Sequence, residues 1–284
     1  MAGFYHMSNN PLQRYFRQPA IYITLPSGGK YFPSGTLDLP PNGELPVYPM
    51  TAMDEITYRT ADALFNGSAI VNVIKSCVPN ILDPWQLPSS DIDAVLVAMR
   101  IASYGHELEF ESQCPECSEE NDFVLDLREI MAQIKMPKFE ETVVNGDIEV
   151  YFKPLNYQQS NENAIKQFED QKILQSIPDA DMPDQEKMDL INGALLKLGE
   201  MSVKSIVNSI STIRAGTDIV DNPQHLTEFV KNCDRTMYGL LRDKLLQLRE
   251  QASVKPVNIS CGKCNHAYET PFTLDVSNFF GPGS

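Results

Sequence analysis

The chain has 284 residues, 42% of them hydrophobic and 21% charged, with 38 acidic against 23 basic side chains and a net charge of −15. This length and composition suffice to bury a core without disulfide staples, which excludes a fibrous or extensively disordered protein. The acidic balance argues against neutralising nucleic-acid phosphates and against adsorption on anionic membranes.

The opening residues, MAGFYHMSNNPLQRYF, hold no apolar stretch of the kind that directs secretion, and no segment has the roughly 18 apolar residues a membrane helix needs. The expectation is folding in a reducing cytoplasm. The six cysteines are then thiols, metal ligands or redox groups rather than structural disulfides.

In chain order, residues 1–50 read as an N-terminal arm and a β-hairpin region. Residues 20–25 (AIYITL) are β-branched and aromatic, and the turn Pro26-Ser27-Gly28-Gly29 predicts pairing with Lys30-Tyr31-Phe32. Residues 51–105 read as helical. Thr51 is a good N-cap with Asp54 and Glu55 in the first turn, and helices are predicted over 52–58 and 68–77. Ser90 is expected to cap a helix over 91–104 that carries Ile92, Val95, Leu96 and Met99 at helical spacing and stops at Gly105.

Residues 106–156 read as strand, knuckle, strand, a short helix over 128–134, and a second hairpin around Asn145-Gly146. Residues 157–253 read as a helical insertion. Met188, Ile191, Leu195 and Leu198 step by 3, 4 and 3, as do Val203, Ile206, Ile210 and Ile213, and a third helix carries Met237, Leu241, Leu245 and Leu248. Such stripes predict intramolecular core. The acidic loop IPDADMPD ahead of them, bracketed by Pro178 and Pro183, lacks the Gly and terminal Glu of a calcium loop. Residues 254–284 return as a strand over 257–260, a second knuckle, a strand over 272–276, and a tail with Phe279 and Phe280.

The chemistry concentrates in two Cys-x-x-Cys pairs, Cys114/Cys117 and Cys261/Cys264, each between strand-like runs. The phrases FVLDL and FTLDV that follow them echo one another. Zinc takes four ligands in a tetrahedron, thiolates suit it, and a two-residue spacer lets both sulfurs of a knuckle face one ion. The pairs are 143 residues apart, against about 15–20 in a compact four-cysteine ribbon, so a shared site must close through tertiary structure. Closure over so long a loop costs only logarithmically more than over a short one.

One structural zinc held by all four cysteines is the reading the pattern favours. Two redox pairs and metal-free cysteines are the alternatives, and four thiolates suit iron as well as zinc. Four cysteines leave no open coordination position for catalysis. His266 lies near enough to Cys264 to replace a sulfur, whereas His6, His106 and His225 are scattered. Cys77 and Cys233 sit in apolar helical contexts and read as inert thiols. No nucleophile elbow or phosphate loop is present; LPSGGKYFP lacks the first glycine a phosphate loop requires. Catalytic and cofactor-binding residues are therefore none.

The expected fold class is α+β: a split zinc-ribbon-like β unit made of two CxxC knuckles, with a large helical insertion and a β-rich N-terminal region. The ordered phrases YFRQPAIYITLPSGGKYFP, PPNGELPVYPMTAMDEITYRTADALFNG, IKSCVPNILDPW, AMRIASYGHELEFESQCPECS and CGKCNHAYETPFTLDVSNFFG resemble the T-even-type, contractile-tailed bacteriophage baseplate proteins assigned to the baseplate hub and its assembly. The resemblance is strongest over residues 14–127 and 254–281. It implies a non-enzymatic structural or assembly component of the tail baseplate, assembled in the host cytoplasm. Its partners are other baseplate and tail proteins, with no nucleic acid, membrane or small-molecule substrate. Metal-ligand roles transfer to Cys114, Cys117, Cys261 and Cys264. The competing readings are a zinc-ribbon adaptor for nucleic acid or the transcription machinery, for which Lys and Arg fail to cluster near either knuckle, and a thiol oxidoreductase.

Overall fold

The computed structural model describes residues 10–59, 67–176 and 183–272. They form a mixed α/β protein around two hydrophobic clusters. No helix among them is long and apolar enough to cross a membrane.

The first cluster begins with strands β1 (Ile21–Thr24) and β2 (Glu44–Val47), paired antiparallel with Ile23 opposite Leu45 and Ile21 opposite Val47. Period-two alternation turns Ile23, Leu45 and Val47 inward and leaves Tyr22 in solvent. The expected pairing of residues 20–25 with Lys30-Tyr31-Phe32 does not form. Residues 30 and 31 continue a turn in which Gly28, Gly29 and Tyr31 all have positive φ. The buried carboxylate of Asp91 explains the difference. It accepts from the Ser27 amide at 2.8 Å and from the Ser27 hydroxyl, which draws the turn inward and leaves β1 to pair with the more apolar 44–47.

Helices α1 (Ala52–Tyr58) and α2 (Ser68–Cys77) form over the predicted residues. Thr51 and Asp54 make a reciprocal capping box, with Thr51 N donating to Asp54 Oδ2 at 2.8 Å and Asp54 N donating to Thr51 Oγ1 at 3.2 Å. Helix α3 (Ser89–Tyr104) starts earlier than expected, after Pro88, and Ser90 does not cap it. Ser90 lies inside the first turn, and its buried hydroxyl has no hydrogen-bond partner among the described residues. The helix stops at Gly105, φ 91°. It buries Val95, Val97, Ala98 and Met99 at the centre of the cluster. Strands β3 (Glu107–Gln113) and β4 (Glu120–Asp126) add Leu108 and Leu125, and helix α4 (Leu127–Gln133) adds Leu127 and Ile130. Val254, Val257 and Phe272, from the far end of the described chain, pack against the same cluster.

The second cluster lies under a four-stranded antiparallel sheet in sequential order: β5 (Val143–Asn145), β6 (Ile148–Phe152), β7 (Ile210–Ala215) and β8 (Asp218–Val220). Helices α5 (Tyr157–Ser176), α6 (Asp184–Ser209), α7 (Pro223–Asn232) and α8 (Arg235–Ala252) complete this part. Asn145-Gly146 makes the expected hairpin, with Gly146 at φ 61°.

Two helical readings are corrected here. Ile210 and Ile213 belong to β7, not to a helix. Phe152 pairs with Ile210 and Tyr151 with Thr212, so Ser211 is an extra residue, and this bulge turns Ile210 and Ile213 to the same buried side. A spacing of three in a bulged strand thus imitates a helix. On α6, Met188 and Leu195 are 55% and 56% exposed and form no core, whereas Ala194, Ile206 and Val207 are buried. The α8 stripe is core as predicted: Met237, Leu241 and Leu248 are buried and Leu245 packs beside them. The acidic loop falls mostly at 177–182, outside the described residues.

Candidate metal centre

Two β-ribbons carry the cysteine pairs. One is β3–β4, paired from Glu107 opposite Asp126 to Gln113 opposite Glu120. The other is β9 (Val257–Ser260) with β10 (Ala267–Thr270), paired from Val257 opposite Thr270 to Ser260 opposite Ala267. The strand that returns after the second knuckle is β10; of the expected strand over 272–276, Phe272 lies outside any strand and residues 273–276 fall outside the described residues.

The two knuckles have one backbone design. Cys114 N donates to Glu119 O at 2.9 Å and Ser118 N donates to Cys114 O at 2.9 Å. At the same places in the second knuckle, Cys261 N donates to His266 O at 2.9 Å and Asn265 N donates to Cys261 O at 3.0 Å. The residue after each second cysteine is left-handed, Ser118 at φ 56° and Asn265 at φ 58°. These tight turns bring the two thiols of each knuckle onto one side.

The ribbons meet so that all four sulfurs lie within 4.8 Å of one another. Cys114 Sγ is 3.7 Å from Cys264 Sγ, and Cys117 Sγ is 3.6 Å from Cys261 Sγ. These separations exceed a disulfide bond of about 2.05 Å. They approach the edge, about 3.8 Å, of a tetrahedron built on a metal–sulfur distance of about 2.3 Å. Cys114 and Cys261 are buried, Cys117 is half-buried and Cys264 is exposed. Four cysteines so placed could bind a metal ion.

Polar contacts join the two ribbons beside the sulfurs. Asn121 Oδ1 accepts from Gly262 N at 2.9 Å, and Asn121 Nδ2 lies 3.7 Å from Cys261 Sγ. Lys263 Nζ donates to Glu119 Oε2 at 2.6 Å, the Ser112 and Thr270 hydroxyls are 2.8 Å apart, and Tyr268 OH donates to Ser112 O at 3.4 Å. Sequence reasoning did not single out these residues; a polar residue four positions past Cys117 was the available signal.

Neighbouring backbone amides and thiols act unequally on Cys261 and Cys117. The Cys264 amide donating to its sulfur holds Cys261 down to about 6, with the Lys263 amide adding to the effect against desolvation. At Cys117 the Glu119 amide pulls down, but desolvation and the three neighbouring thiols carry the group up to about 12. A dication would favour the thiolate form of all four.

The remaining candidates lie elsewhere. The His266 ring stacks on Tyr268, and its backbone carbonyl serves the second knuckle. His106 precedes β3, His225 is in α7, and His6 is outside the described residues. Cys77 is buried; desolvation, with Asp54 adding and Arg17 opposing, pushes its thiol up to about 12. Cys233 is half-buried and raised by desolvation.

The model of one protein family, T4 bacteriophage base plate protein, matches residues 21–281. No curated protein and no solved structure gave a significant match. The matched span takes in both cysteine pairs, both hydrophobic clusters and most of the sequence: the chain belongs to the T4 bacteriophage base plate protein family.

Proposed function

We propose that this chain is a non-enzymatic structural or assembly component of the hub of a contractile phage tail baseplate, stapled by one zinc ion on Cys114, Cys117, Cys261 and Cys264. Family membership carries the baseplate part of this reading. The observation that carries the staple is the convergence of four sulfurs from two ribbons far apart in the sequence. A four-thiolate site is closed, so the ion organises structure and offers no position to a substrate. It would convert two short ribbons, each marginal alone, into one unit. That unit is the split zinc ribbon, and the chain between its halves, with a hydrophobic cluster of its own, is the insertion.

The partners are other baseplate and tail proteins, met during assembly in the host cytoplasm, with no role for nucleic acid, membrane or small substrates. The N-terminal arm supports a docking function. Arg17 anchors it by donating to the carbonyl and the hydroxyl of Ser76, both at 2.7 Å, while Leu12, Tyr15 and Phe16 just ahead stay exposed. Phe279 and Phe280, the matching candidates at the other terminus, lie outside the described residues.

Native mass spectrometry of the purified chain, with fractionation of phage tails and baseplate intermediates, tests the reading. One zinc per chain and co-migration with tail intermediates are expected. A metal-free chain absent from every tail fraction contradicts it.

A further inference from the structure

The two knuckles share a backbone design, but their surroundings are unequal in one respect. Four residues past the second cysteine, the first ribbon carries Asn121 and the second carries Tyr268. Tyr268 reaches the backbone of β3 through its hydroxyl. Asn121 reaches the cluster itself.

The orientation of the Asn121 amide follows from its partners. The Gly262 amide can only donate, so the atom 2.9 Å from it is the side-chain oxygen. The NH₂ group then points the other way, to the Glu119 carbonyl at 3.0 Å and to Cys261 Sγ at 3.7 Å. One side chain of β4 thereby holds the backbone of the opposite knuckle and donates to one of its sulfurs. A hydrogen bond from N–H to a metal thiolate withdraws charge from the sulfur, which makes it less easily protonated and the metal bond more durable.

We propose that Asn121 is a positioning residue of the metal centre, its amide oxygen holding the Gly262 N–H and its amide nitrogen donating to the Cys261 sulfur, so that the first knuckle presets the second for the ion. The inference rests on the metal reading above and adds a residue outside the ligand set. It makes the site asymmetric: Cys261 is the sulfur protected by a side-chain donor, and removing that donor makes it the first to open.

The test uses the full chain loaded with cobalt(II) as a spectroscopic reporter, with zinc affinity measured by competition against a chromophoric chelator. Asn121→Ala removes both contacts. Asn121→Asp keeps an acceptor for the Gly262 amide and loses the donor to sulfur. Both variants are expected to bind zinc about 10- to 100-fold more weakly, the range for lost outer-sphere partners. Asn121→Asp should also shift the sulfur-to-cobalt charge-transfer band, which a merely structural role in holding Gly262 would not move. In cadmium-113-loaded wild type, the Asn121 side-chain amide should show scalar coupling to the metal through the Cys261 sulfur, a readout that survives if either variant fails to fold. Wild type that gives no tetrahedral thiolate cobalt spectrum overturns the metal reading and this inference with it. Wild type that binds normally while Asn121→Asp keeps its affinity and band, or whose Asn121 amide shows no coupling to cadmium, overturns the role of Asn121 alone.

Discussion

The two halves of the molecule reach stability by different routes. The second cluster draws on residues 136–248, with a four-stranded sheet and buried side chains of α6, α7 and α8. The first is assembled from residues 21–134 and completed by Tyr157 from within the 136–248 segment and by Val254, Val257 and Phe272 from beyond it. Its strands come as two-stranded ribbons, the least self-sufficient form of sheet. A continuous segment can afford to hold itself by packing alone. A core closed by a distant strand gains from a cross-link at the seam, and the seam is where the four sulfurs meet.

The sharpest way to break this contrast is to remove the proposed metal cross-link. Cys261→Ser, or stripping the metal with a strong chelator, is expected to destabilise the first cluster by several kcal/mol. Amide exchange should then rise in α2, α3, β3 and β9 while β6, β7 and α8 keep their protection. Uniform loss of protection, or none, removes the distinction between the halves.

The converse experiment targets packing in the second half. Leu241 is fully buried, so Leu241→Ala should cost about 2–5 kcal/mol in denaturant unfolding. Its metal content should stay that of wild type. Loss of metal in this variant would show that the cluster and the cross-link are coupled.

A smaller effect, confined to the first half, is pH-dependent. Burial raises the Asp91 carboxyl to about 6, against the opposing Ser27 hydrogen bonds, and burial raises Asp93 to about 6 as well. A raised carboxyl binds its proton more tightly in the folded state. Its contribution is therefore complete below about pH 4 and is lost as pH rises to about 6. Asp91→Asn should remove part of that slope, gaining up to about 3 kcal/mol on wild type between pH 4 and 7. Chemical denaturation at both pH values reads the difference, and a constant gap between the two proteins contradicts it. The smallest expectation is at the rim of the seam. Lys263 and Glu119 are solvent-exposed, so Lys263→Ala should leave the melting temperature and zinc content unchanged within error.

Much of this was legible where the signal is local. Thr51 with Asp54, Gly105 after α3, and Asn145-Gly146 each fix a boundary through a few neighbouring residues. The four cysteines were legible because two-residue spacing is a constraint of chemistry. What escaped depends on partners far along the chain. Residues 20–25 carry a strand signal, but the choice of 44–47 over 30–32 was decided by Asp91 reaching back to Ser27. Ile210 and Ile213 imitated a helix because a bulge against β6 restored them to one side. The β-branched run ISTI and the turn at Gly216 were the signals that could have identified β7. Asn121 carries no motif, and its part emerges only once the second knuckle lies against it.

The most direct test of the central claim is X-ray absorption at the metal edge of the purified chain, with its zinc content measured alongside. The account predicts one zinc per chain with four sulfur neighbours at about 2.3 Å. A first shell with fewer than four sulfurs, or a chain that holds no metal, contradicts it.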